Sequence, residues 1–163
     1  RSVRWWTDQE VPDAMIDRIM KAGQWAIHSC NLNSMRFLVV REKHLPGLLK
    51  GHHTGVGPVH IVLCQDRRAY YCMPRFVADP SRIDFSGRLD CGAAMQNMAL
   101  MAHGLGLGAV WLGMRPDDIA PVREQFRLPE YIHVIACLDV GYPAHSPMPP
   151  GRFRVEDAVL ARV

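Results

Sequence analysis

Asp90-Cys91-Gly92-Ala93-Ala94-Met95-Gln96-Asn97-Met98-Ala99-Leu100-Met101-Ala102-His103-Gly104 runs through Leu105-Gly106-Leu107-Gly108 into Ala109-Val110-Trp111-Leu112, and this stretch decides the fold. Ala94, Met98, Met101 and Leu105 recur at helical spacing, so residues 90–104 are read as a helix. Gly104, Gly106 and Gly108 then end it and open a buried strand over 109–112. Gly92, Ala93, Ala94, Ala99 and Ala102 let neighbouring elements come close. A helix apolar so far round its circumference is normally buried, and a dimer interface is one way to bury it. The glycines do not make a dinucleotide fingerprint: the spacing is G-x-G-x-G, and it follows a helix instead of opening one.

Working outward, the segment from Val11 to about Ile27 reads as the first helix, with Pro12 suited to its first position and Asp13 favourable to its dipole. Ile16, Ile19, Met20, Gly23 and Ile27 share its apolar face. Phe37–Val40, Val59–Cys64 and His133–Leu138 are further buried strands, and a helix is expected from about Pro116 to Phe126. Between Asp66 and about Leu89 the pattern is weak: Pro74, Pro80 and Gly87 interrupt it, and arginines 67, 68, 75, 82 and 88 keep it solvated. It reads as a short helix and a surface loop. Helices alternating with buried strands imply a sheet sandwiched by helices, and 163 residues suit one domain spanning 1–163.

Nineteen Lys and Arg against sixteen Asp and Glu leave a formal charge of +3, too little to imply a nucleic-acid partner. No apolar run is long enough to cross a membrane. The five cysteines, Cys30, Cys64, Cys72, Cys91 and Cys137, are scattered and odd in number, which reads as free thiols in a reducing, cytoplasmic setting. The first residue is an arginine, consistent with a natural start further upstream.

The chemistry-bearing signals are few. His52 and His53 have no ligand-spaced partner, so no metal site is expected. His28 and Cys30 could form a nucleophile pair, although a polar helix-terminal cluster reads more simply. The basic pairs at the ends say more. Arg1-Ser2-Val3-Arg4 offers two guanidinium groups and a hydroxyl, and Arg152-Phe153-Arg154 puts two guanidinium groups on one side of an extended segment. Such forks match phosphate oxygens if the two ends converge. Taken separately, each pair reads more simply as a solvated terminus.

In order along the chain, these features resemble the nitroreductase family. Arg1-Ser2-Val3-Arg4 resembles its R-R-S-x-R opening without the first arginine, and Val11-Pro12 its next segment. His28-Ser29-Cys30-Asn31 with Arg36-Phe37 resembles A-P-S-x-x-N-x-Q-P-W-x-F. Asp90–Met98 with Gly106-Leu107-Gly108 is similar to its long interface helix and G-L-G ending. Leu128-Pro129, Gly141-Tyr142-Pro143 and Arg152-Phe153-Arg154 complete the series. The departures are Ile27 and His28 for the family's proline and serine, and Asn33-Ser34-Met35 for its Q-P-W.

The resemblance implies an α+β fold, a three-layer α/β/α sandwich with a mixed, mainly antiparallel sheet, in an interlocked homodimer with FMN between the subunits. It places Arg1, Ser2, Arg4, Arg152 and Arg154 at the flavin phosphate, and His28, Ser29 and Asn31 at the flavin from the partner subunit. The backbone of Gly113 and Met114 would lie near the reactive edge, and Lys50 or His52 near the ribityl chain or pyrimidine edge. The implied activity carries reducing equivalents from NAD(P)H to an electron-poor acceptor such as a nitroaromatic or quinone. The flavin does the chemistry and no side-chain catalyst is required; a proton donor at His28 is a further option. Tyr70, Tyr71, Arg75 and Phe76 are candidates for substrate contact. Alternatives are reductive dehalogenation, flavin fragmentation, a flavin-binding protein with little turnover, and, in another class, a Cys30–His28 hydrolase.

Overall fold

The structure is a computed structural model and describes residues 1–49 and 57–163. Four strands form one sheet in the order β1-β2-β4-β3: β1 (Met35–Arg41), β2 (Val59–Asp66), β3 (Gly108–Gly113) and β4 (Ile132–Gly141). Every neighbouring pair is antiparallel. A parallel bridge between Ser2 and Ala109 adds the start of the chain to the free edge of β3, so the sheet is mixed but mainly antiparallel. β2 is central and buried on both faces along its whole length, which is why it reads as a continuous apolar run.

Alternation on the strands divides the core in two. Ile61, Leu63, Leu138 and Val140 face α1 (Asp13–Gln24) and α2 (Ser81–Gly104), meeting Ile16, Ile19, Ala94, Met95 and Met98. Val62, Cys64, Val134 and Cys137 face the other way, against Leu49, against Ile119 and Val122 of α3 (Pro116–Gln125) and against Phe126 just after it. The result is the expected three layers. α1 starts with Pro12 as its cap, whose carbonyl accepts the amides of Met15 and Ile16. Ile27, expected on the apolar face of α1, lies beyond its end and is 87% exposed. The tail from 148 to 163 is exposed throughout, including its short helical turn, Val155–Ala158.

The largest departure from the sequence reading is the start of α2. It begins at Ser81, directly after Pro80, and runs 24 residues, about 36 Å at 1.5 Å per residue. Its first turns are the stretch taken as surface loop. Gly87 lies inside the helix because Gln65 of β2 crosses it there: a Cβ on Gly87 would collide with the Gln65 side-chain amide. That amide is buried and donates to the Ile83 carbonyl at 2.8 Å. Tyr70 and Phe76, candidates for substrate contact, are 0% and 3% exposed and pack edge to face with Ile83 beside them. They are core residues. Tyr71 and Arg75 remain at the surface.

Candidate functional site

The start of the chain is fixed along β3. The Val3 amide donates to the Ala109 carbonyl at 2.9 Å, and further on Thr7 donates to Tyr142 and Ala144 to Trp5. Gly108 makes this approach possible, since a Cβ there would lie 2.6 Å from a Val3 methyl. Between this segment, the C-terminal half of α2 and the stretch 143–147 lies a cleft of about 820 Å³, within the size range of small-ligand sites. Arg1, Ser2, Gln96, Leu100, His103, Trp111 and His145 line it among others, and no lining residue is a carboxylate. Arg1 spans its mouth, donating from Nη1 to the Pro147 carbonyl at 3.0 Å. The charge balance of this cleft favours an anionic ligand.

Of the expected residues, the structure therefore brings Arg1 and Ser2 to one cleft. Arg4 is half-buried on the same segment. Gly113 closes β3, paired with Ala136, and Met114 packs against the α3-side core. Arg152 and Arg154 stay on the exposed tail with local partners only: Arg152 donates to the Gly151 carbonyl and Arg154 pairs with Asp157 at 3.0 Å. Lys50 and His52 lie outside the described residues.

His28, Ser29 and Asn31 share the loop after α1, which is held in an unusual shape. Cys30, Asn31 and Asn33 have φ of 52°, 55° and 47°, a left-handed conformation that costs a non-glycine residue roughly 1–2 kcal/mol. Asn tolerates it; cysteine has no such compensation. The restraint comes from Asp90 of α2, 3% exposed. Its Oδ1 accepts the Ser29 amide at 2.8 Å and the Ser29 hydroxyl at 2.9 Å. Its Oδ2 accepts the Tyr70 hydroxyl at 2.7 Å, which also meets Ser34 Oγ at 2.9 Å. Burial in first place, with Asp90 adding to it, pushes the Tyr70 phenol up to about 12, so it remains a donor. His28 is 8% exposed, and its Nε2 is buried without a hydrogen-bond partner among the described residues.

Cys30 is exposed and in contact with the Arg75 guanidinium, and no hydrogen bond joins it to His28 among the described residues. The nucleophile pair is thus not assembled. All five cysteines are free thiols, and burial raises Cys64 and Cys91 to about 12 and pushes Cys137 well above the ordinary thiol range. These three are inert.

A second polar cluster lies on the α3 face of the sheet. His60 is 1% exposed, its Nδ1 lying 2.6 Å from Asp139 Oδ1 and its Nε2 3.0 Å from Glu42 Oε2. Asp139 Oδ2 also accepts the Gly57 amide, and Cys137 Sγ lies 3.5 Å from Oδ1. His60, Cys137 and Asp139 are close enough to share an ion, but both imidazole nitrogens already face carboxylate oxygens at hydrogen-bond distance. Burial lowers the His60 pKa, and the bonds and charges of Asp139 and then Glu42 outweigh it, so the net shift is upward. This ion-pair cluster is remote in kind from the cleft, and isolated histidines and acids in the sequence gave no sign of it. The pairing of His60 with Asp139 across β2 and β4 creates it.

With this geometry in hand, comparison with known proteins is direct. Residues 1–70 and 48–142 match the nitroreductase family. The chain belongs to that family. It is 34% identical over 154 residues to a Methanothermobacter thermautotrophicus protein provisionally named NADH dehydrogenase/NAD(P)H nitroreductase, covering 90% of this chain and 75% of that one. It is 28% identical over 156 residues to the FMN reductase [NAD(P)H] of Bacillus subtilis, covering 88% of this chain but 63% of the relative. Among solved structures, a nitroreductase-like protein of Desulfovibrio desulfuricans in complex with FMN matches with a TM-score of 0.81 at 30% identity, over 100% of this chain and 92% of that one. The nitroreductase fold expected from the sequence is therefore present. Among the described residues no helix is long and apolar enough to cross a membrane.

Proposed function

We propose that this nitroreductase-family chain is an NAD(P)H-dependent FMN oxidoreductase whose acceptor is an electron-poor small molecule such as a nitroaromatic or quinone. The observation that carries the reading is the cleft itself: Ser2 is bridged to Ala109 at the edge of β3 and Arg1 donates to the Pro147 carbonyl, at a mouth free of carboxylates among the described residues. That donor set fits a phosphate monoester, which a guanidinium and a hydroxyl bind by charge-assisted hydrogen bonds. Relatives named FMN reductase and NADPH-flavin oxidoreductase, and an FMN-bound structural neighbour, support the identity of the group. FMN, when bound, supplies the redox chemistry by accepting two electrons from NAD(P)H and passing them on. The chain's own residues bind and orient it: Arg1, Ser2 and Arg4 at the phosphate, the backbone at Gly113 and Met114 near the ring, and His28 and Asn31 from the loop after α1. Arg152 and Arg154, and Lys50 or His52, complete the set as the sequence suggests.

The working unit is a homodimer. Phe85, Leu89, Gly92, Gln96, Leu100 and His103 fall on one stripe of α2, with Phe85, Leu89 and Leu100 67%, 58% and 60% exposed and Trp111 49% exposed beside them. An apolar stripe of that length on a monomer marks an interaction surface, and the tail residues Phe153, Val155 and Leu160 are exposed and apolar as well. A second copy would cover both and bring the loop at 28–31 and the basic tail to the cleft. Steady-state kinetics test the activity. Initial rates with NADH or NADPH varied against a quinone or nitroaromatic should give parallel double-reciprocal lines; no reductant consumption with either nucleotide in FMN-loaded protein would refute the reading.

A further inference from the structure

Ser29 is expected at the flavin, yet both of its donors, amide and hydroxyl, point at Asp90 Oδ1. The other carboxylate oxygen is held by Tyr70, which is fully buried and can touch no ligand. One carboxylate thus ties three elements together: the loop after α1, the Tyr70 turn (Arg67–Tyr70) and the middle of α2. Hydrogen bonds to an ionised acceptor out of water are about twice as strong as neutral ones. The loop needs such a restraint, because three of its four residues from Cys30 to Asn33 are left-handed and none is glycine.

We propose that Asp90 is the positioning residue of the flavin-facing loop. Through Ser29 it holds residues 28–33 in the shape that leaves Asn31 exposed and His28 Nε2 buried without a partner among the described residues, and Ser29 acts as its anchor and not as a flavin ligand. This rests on the FMN reading above. Asp90 itself is buried with both oxygens engaged, so its effect on the flavin passes entirely through the loop. Tyr70 acts one step further back, by fixing the carboxylate.

The test compares the wild-type chain with Asp90→Asn and Tyr70→Phe in two measurements. The first is the FMN dissociation constant, from quenching of flavin fluorescence, taken well below each variant's melting temperature. The second is flavin-independent: the rate of Cys30 alkylation by iodoacetamide in apo-protein, resolved by peptide mass, since Cys30 is exposed on the loop. Loss of a charge-assisted bond predicts FMN binding weaker by roughly 10- to 100-fold in Asp90→Asn and by a smaller factor in Tyr70→Phe. Cys30 alkylation should change severalfold in both. A merely structural Asp90 would lower the melting temperature and leave both readouts of the folded protein at wild-type values, and that result overturns the proposal. If Asp90→Asn does not fold, Tyr70→Phe decides between these outcomes. Wild-type protein that binds no FMN while the Cys30 rates still respond would sink the flavin reading and leave the anchoring of the loop standing.

Discussion

Replacing Gly87 by alanine is expected to destabilise the protein, although the same change in an ordinary helix interior stabilises by up to about 1 kcal/mol. The reason is Gln65, whose buried amide occupies the space the methyl group would need. Either α2 shifts away from β2, an overpacking cost of about 1–3 kcal/mol, or the amide moves and loses its bond to the Ile83 carbonyl. Stranding that buried amide costs about 1–3 kcal/mol. Set against the propensity gain of up to about 1 kcal/mol, the net loss is up to about 2 kcal/mol, and for a chain of this size each kcal/mol lowers the melting temperature by roughly 2–4 °C. Circular dichroism melts and urea titrations at one fixed protein concentration measure it, the concentration being held because the proposed self-association would shift apparent stability. Gln65→Ala removes the obstacle, so the double variant should be more stable than the two single losses added together, by about 1 kcal/mol or more. A Gly87→Ala protein more stable than wild type, or strict additivity in the double variant, would refute the packing argument.

Two more predictions follow from other parts of the fold. His60 has a folded pKa raised by Asp139 and Glu42 against the opposing effect of burial, so its stabilisation is complete below the ordinary histidine range near 6.5 and is lost as pH rises through the folded value. The urea midpoint should therefore fall as pH rises above about 6.5 in wild type, and His60→Gln should flatten that slope; an equal slope in both would exclude His60 as the source. Leu89→Glu puts a charge on the exposed stripe of α2 without touching the core or the cleft lining. It should convert dimer to monomer in sedimentation velocity with only a small change in the melting of the isolated chain, and an unchanged sedimentation coefficient would move the interface elsewhere.

What the sequence makes legible follows from how local each signal is. β2 and β4 are read correctly because each carries a continuous apolar run, Ile61–Cys64 and Val134–Leu138, and residues 90–104 because their small and apolar residues keep a helical period. The first turns of α2 are hidden for a physical reason: Ser86 and Gly87 are buried there to accommodate Gln65, a contact between residues far apart in sequence, so a core position looks like a loop. Pro80 is misleading in the same place. It reads as a breaker, whereas it stands immediately before the helix, where proline is tolerated. Tyr70 and Phe76, read as surface aromatics, are core for the same reason.

The site divides in the same way. Arg1 and Ser2 are visible as a short motif and meet in the cleft. Arg152 and Arg154 are equally visible, but among the described residues their partners are local; the proposed convergence would need a second copy. Asp90 goes unnoticed as a site element because an acid inside a helix of small residues looks like its first polar turn. Only the folded chain sets it against Ser29 and Tyr70. His60 is likewise silent until β2 and β4 pair.

The most direct test of the central claim is the absorption spectrum of the FMN-loaded protein under anaerobic conditions, recorded before and after addition of NADH and, separately, NADPH. Bound FMN whose band near ~450 nm bleaches with at least one nucleotide and returns on adding a quinone or nitroaromatic is what the account predicts, the cofactor carrying the redox chemistry and the protein its orientation. A chain that takes up no FMN, or whose bound flavin stays oxidised with both nucleotides, would contradict it.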